Sequence, residues 1–121
     1  MSRGLTQDEL GLVRWLLANG TDAADFYVAQ LDTLTVDSMC ECGSASINFA
    51  VDGKTPDTKS GMTILADYEW DGENGELMGV FVFAYGDRLS GLEVWSPDGL
   101  SDCTVLPNPS QLRPLVVNRV G

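Results

Sequence analysis

The densest run of reactive side chains is Asp67-Tyr68-Glu69-Trp70-Asp71-Gly72-Glu73-Asn74-Gly75-Glu76. Acids at its first, third and fifth positions and glycine at the sixth imitate the start of a helix–loop–helix calcium site. The imitation ends there, because Met78 stands where such a loop needs a bidentate glutamate and strand-like sequence flanks it. A solvated acidic turn is the plainer reading. Asp67, Glu69 and Glu93 could project from one sheet face, and carboxylates facing across a cleft can serve as acid and base in glycoside hydrolysis. Their spacing fixes no working separation, and acids on exposed strands also discourage edge pairing. Trp70, Tyr85 and Trp95 admit a ligand pocket, although aromatics in strands more often build core.

The chain lacks histidine, which removes Ser-His-Asp and Cys-His catalysis and histidine-ligated metals. Cys40, Cys42 and Cys103 are too few for a structural zinc site without histidine, and Cys40-Glu41-Cys42 is not the redox spacing. Free thiols are expected. The sequence contains neither Gly-x-x-x-x-Gly-Lys nor Gly-x-Gly-x-x-Gly, so no phosphate loop is expected. The expectation is no catalytic set, no metal and no cofactor.

Eighteen acids against seven bases give a net charge of −11. Lys54, Lys59 and the arginines are scattered, so nucleic acid and anionic lipid are poor partners and a basic protein a good one. No apolar run approaches the roughly 20 residues that span a bilayer. No apolar signal core follows Met1-Ser2-Arg3-Gly4, so a cytoplasmic protein is expected.

The elements that must position these residues begin with helices. Thr6 to Glu9 reads as a capping box, with Leu5 and Leu10 as its hydrophobic staple. Leu10, Val13 and Leu17, flanked by Leu12 and Leu16, make an apolar stripe, and Trp15 lies off it. Asn19-Gly20 stops the helix. Thr21-Asp22 starts a second one with Ala24, Tyr27, Val28 and Leu31 on one face and Phe26 at its edge, ending near Asp32.

The period then changes to two. Strands are expected around 35–39, 44–51, 62–70, 76–85, 89–95 and 100–106, with a polar loop over Asp52 to Ser60 and a Ser96-Pro97-Asp98-Gly99 turn. One α+β domain over 1–121 follows: a helical hairpin (1–33) packed on a mostly antiparallel sheet of roughly five or six strands (34–106), with a C-terminal tail (107–121). The simplest topology is a meander from Gly61 to Leu106.

Residues 76–85 are apolar on both faces. With the helices on one, Val80 and Val82 fall on the other, Leu65 and Trp95 beside them and Asp67, Glu69 and Glu93 as a rim. Such a patch marks an interface with a basic protein or a second copy of the chain, unless the tail or the 52–60 loop covers it.

Three fragments carry a resemblance. Leu5-Thr6, Glu9, Leu12 and Leu16-Leu17 are the first, and Gly43-Ser44-Ala45-Ser46-Ile47-Asn48-Phe49 the second. The third is Gly91-Leu92-Glu93-Val94-Trp95-Ser96 followed by Pro107. Together they resemble small uncharacterised bacterial domains of about this length, some acidic ones looking like immunity proteins of toxin systems. The resemblance implies paired N-terminal helices and a late Leu-Glu-aromatic strand, and no catalytic residue. The expected function is a non-enzymatic acidic protein-binding module, in its sharpest form an immunity-type inhibitor of a basic toxin. The alternative is a small-ligand-binding domain or minor enzyme with an aromatic and carboxylate pocket.

Overall fold

Thr6 caps the first helix, α1 (Gln7–Ala18), by accepting the Glu9 amide at 3.1 Å while the Glu9 carboxylate accepts the Thr6 amide at 2.9 Å. Arg3 adds a bidentate ion pair to the same carboxylate, at 2.8 and 2.9 Å. These bonds hold Glu9 below the usual carboxylate range, the Arg3 contact being the largest cause. Leu12, Val13, Leu16 and Leu17 are buried. Trp15, off that stripe, meets Tyr68 edge-on with ring centroids 5.0 Å apart.

The computed structural model describes residues 3–39, 44–96 and 104–114. All three cysteines lie outside them, as do Gly43, Pro97 to Leu100 of the expected turn and strand, Leu115 and Val117.

The second helix, Asp22–Thr33, is wound as a 3-10 helix. Three residues per turn align Ala24, Tyr27 and Gln30, and all three are directed to the sheet. Ala24 and Tyr27 are buried, the Tyr27 hydroxyl donates to Gly86 O at 2.7 Å, and Gln30 bridges Asp87 O and the Leu89 amide. Val28 turns away and is exposed, contrary to the expected face.

Six strands form one antiparallel sheet: β1 (Leu34–Met39), β2 (Ile47–Val51), β3 (Met62–Asp71), β4 (Leu77–Tyr85), β5 (Arg88–Trp95) and β6 (Arg113–Pro114). Their order is β1-β2-β5-β4-β3-β6, so two N-terminal helices and this sheet make the α+β arrangement expected. The meander covers β3, β4 and β5 only. The neighbour of β5 on its far side is β2 and not a strand at 100–106, of which the described part, 104–106, is not a strand. The 52–60 connection leaves β2 through an Asp52-Gly53 turn with both residues at positive φ. It crosses the end of β5 and β4, where Arg88 donates to Thr55 O at 3.1 Å.

The β1–β2, β3–β4 and β4–β5 pairings each hold one irregularity, and these decide which side chains meet the helices. In β3 the register with β4 slips between Ile64 and Ala66, making Leu65 an extra residue. Across such a bulge the alternation is reset. Met62 and Ile64 are exposed, whereas Leu65, Ala66 and Trp70 join the core. The Leu65 carbonyl accepts the Thr21 amide at 2.8 Å, tying the helix entrance to the bulge.

The helices cover the face made by Met78, Val80, Val82 and Ala84 of β4, Leu89, Leu92 and Val94 of β5, Ile47 and Phe49 of β2, and Leu34 and Val36 of β1. The expectation that Val80 and Val82 form an exposed patch is therefore corrected: both are 0% exposed, packed in one cluster with Leu12 and Leu16. Leu65 lies with them and Trp95 does not. Compact aliphatic side chains pack closely beneath a helix layer, and the larger rings of β4 were left to the other side. Leu106 and, from the tail, Leu112 also pack against this core.

Candidate functional site

The face that no helix among the described residues covers, the open face, is aromatic along its centre and acidic beside it. Phe81, Phe83 and Tyr85 alternate on β4, with successive ring centroids 5.7 and 5.9 Å apart. The pairing register sets Asp67 of β3 opposite Phe81 and Phe81 opposite Glu93 of β5. One transverse row therefore reads carboxylate, phenyl ring, carboxylate. The next row reads Glu69, Gly79, Trp95.

Two glycines make the aromatic tiling possible. The Trp95 indole lies over Gly79, and a Cβ there would run into the ring. Phe83 lies over Gly91 in the same way. An aromatic ring over a strand glycine restores the packing that the missing side chain removes.

Asp67 and Glu93 are half-buried, and burial raises both carboxyls above the ordinary range. The neighbouring Glu69 charge pushes Asp67 further in that direction, whereas the Ser46 hydroxyl partly offsets the shift at Glu93. Asp67 Oδ1 and Trp95 Nε1 are buried and have no hydrogen-bond partner among the described residues. Glu69 differs: Arg113 donates to it at 2.8 Å and to Asp71 at 2.9 and 3.2 Å, which fastens β6 to β3. The same arginine holds Asp71 below its usual range.

Asp67, Glu69, Glu93 and Trp95 thus share the open face, while Val80 and Val82 belong to its reverse. Trp70 is buried under the helices, and Tyr85 and Trp95 stand toward opposite ends of β4, so the three aromatics first singled out form no common pocket. Phe81, the centre of the acidic row, was not singled out by sequence. Gly79 and Gly91 inside apolar strands signalled rings on this face, but those rings are Trp95 and Phe83, and nothing in the spacing marked Phe81. Two strand spacings, roughly 9–10 Å, separate the backbones of Asp67 and Glu93, with Phe81 standing between.

At one end of the face, the 52–60 connection walls a cavity of about 310 Å³ with Asn48, Phe83, Tyr85, Thr55 and Pro56. A second cavity of about 400 Å³ lies beside the acidic turn, between Trp70, Met78, Leu106 and Glu76. That turn is closed by its own groups: Glu76 accepts the Asn74 amide at 2.9 Å and, through its carbonyl, the Gly72 amide at 2.7 Å. Among the described residues no three acidic or cysteine side chains converge to hold a metal ion. No helix among them is long and apolar enough to cross a membrane.

No family model, no curated protein and no solved structure matches this chain. The resemblance of its three short fragments to small bacterial domains therefore gains nothing from these comparisons, and function must be argued from the open face itself.

Proposed function

We propose that the chain is a protein-binding module that docks a basic surface of another protein on the open face of its sheet. The observation that carries this reading is the pair Asp67 and Glu93. Both are partly desolvated, and neither forms an ion pair with a cation among the described residues, on either side of the Phe81 ring. A desolvated carboxylate is unfavourable alone and gains most when a cation arrives.

Charge selects the partner. A second copy of the chain would set carboxylates against carboxylates, and nucleic acid or anionic lipid would be repelled by the net −11. A cationic protein surface would be steered in and held by rings at the centre. The sharpest form of the proposal is an immunity-type inhibitor masking the cationic site of a toxin.

The test compares capture from a source lysate by three baits: wild type, Asp67→Asn/Glu93→Gln, and Asp8→Asn/Asp22→Asn on the helix side. The two doubles change the net charge equally. A basic protein held by wild type and by the helix-side double, lost with the open-face double and released by salt, is the expected result. Equal retention by both doubles would refute the assignment to this face.

A further inference from the structure

Resting on that reading, we infer that the centre of the face is a seat for one arginine side chain of the partner, lying flat on Phe81 between Asp67 and Glu93. The argument is one of shape. The register places an acceptor on each side of a phenyl ring, in one row across three adjacent strands. A guanidinium is planar, stacks on aromatic faces and carries donors along more than one edge. Two charge-assisted bonds of about 2.8 Å each, with the planar group between them, suit carboxylates that lean in from strands two spacings apart.

Lysine fits this seat less well. Its ammonium is a compact, strongly hydrated point charge that neither stacks as a plane nor reaches two separated carboxylates at once. Competing occupancy from within the chain is limited: on this side of the sheet Arg113 is committed to Glu69 and Asp71, and Arg88, opposite Tyr85 at the far end of β4, donates to Thr55 O. The Trp95 indole over Gly79 closes the neighbouring row, so the incoming side chain is confined to the Phe81 row.

The experiment titrates the protein at low salt with three peptides, Lys-Val-X-Val-Lys, where X is arginine, lysine or citrulline. Binding is followed by the carboxylate carbon shifts of Asp67 and Glu93 and by the Trp95 indole proton. The arginine peptide should bind about five- to tenfold more tightly than the lysine peptide, with citrulline weakest, and should move both carboxylate signals. Phe81→Leu should bring the arginine-to-lysine ratio close to one, whereas Phe81→Tyr, which keeps a ring, should preserve it. Equal binding of the arginine and lysine peptides to wild type would overturn the arginine seat while leaving a basic-surface module standing. Absence of any shift at Asp67 and Glu93 with all three would overturn both.

Discussion

Neutralising Asp67 should stabilise the free protein. Its carboxyl is raised above the ordinary range by burial first and by Glu69 second, so the charged form is disfavoured in the folded state. Glu69 lies two residues along the same strand face, roughly 7 Å away. Repulsion over that distance runs from about 0.6 kcal/mol in water to about 2.4 kcal/mol at an effective dielectric of 20. The ion pair between Arg113 and Glu69 cancels much of it, which leaves burial as the larger part. Discounted for partial exposure, the gain from Asp67→Asn is about 1 kcal/mol. That corresponds to a rise in Tm of roughly 3–5 °C for a domain of this size.

The pH dependence separates this cause from a generic change in packing. A carboxyl raised on folding binds its proton more tightly in the folded chain, so its unfavourable contribution is present at neutral pH. It is relieved as the pH falls through the folded-state value. The advantage of Asp67→Asn over wild type should therefore be largest near pH 7 and disappear below the ordinary carboxylate range. Urea unfolding of both proteins between pH 7 and pH 3.5 measures it. A variant less stable than wild type at pH 7, or an advantage that persists unchanged into acid, would refute the reasoning.

Glu93→Gln should behave alike but more weakly, since the Ser46 hydroxyl already offsets part of the shift; the same unfolding series checks it. Glu9 has the opposite sign. Arg3→Ala should destabilise by about 1–2 kcal/mol at pH 7 after allowance for the exposed arginine. Because the Glu9 carboxyl is held low, that stabilisation is lost as pH falls through its folded value, so the wild-type and Arg3→Ala denaturation midpoints should converge in acid. Gly20→Ala should destabilise by about 1–3 kcal/mol, since a Cβ there meets the Leu65 and Leu16 carbonyls and the Ala24 side chain; a thermal melt suffices. Gly79→Ala should lift Trp95 off the sheet and change the near-ultraviolet circular dichroism. Arg113→Ala should return the Asp71 carboxyl toward its ordinary value and speed amide exchange at position 113, both read by NMR.

The first helix was legible residue by residue, because Thr6, Glu9 and the leucines act through local geometry that spacing alone encodes. The alternation of β4 was legible too, with Met78, Val80, Val82 and Ala84 on one face and Leu77, Phe81, Phe83 and Tyr85 on the other. Which face the helices take was not. A strand apolar on both sides carries no mark of its covered side, and the decision rests on contacts distant in sequence, such as Thr21 to Leu65 and Tyr27 to Gly86. The bulge at Leu65 was hidden for a similar reason: Met62, Ile64, Ala66, Tyr68 and Trp70 read as one alternating set until pairing with β4 inserts a residue. The position of β2 beside β5 could not be read either, since a nine-residue polar loop allows several crossings. The carboxylates were recognisable as a group, but their centre, Phe81, required the register.

The two faces of the sheet treat charge in opposite ways. Where the helices meet the sheet, the buried carboxylate Glu9 receives a capping amide and a bidentate arginine. On the open face, Asp67 and Glu93 are partly withdrawn from water, yet the described residues bring no cation to either. A fold that neutralises one buried acid so completely has the means to neutralise others, and Arg113 does so one residue pair away at Glu69 and Asp71. Folding alone gives no reason to keep Asp67 and Glu93 charged beside a phenyl ring; an asparagine or glutamine there would be more stable. The proposed binding would give one, because the energy withheld on folding would be recovered when a cation arrives. On the proposed binding role, the stabilisation expected of Asp67→Asn and the loss of partner affinity expected of it are two readings of the same partly desolvated charge, and they should change together.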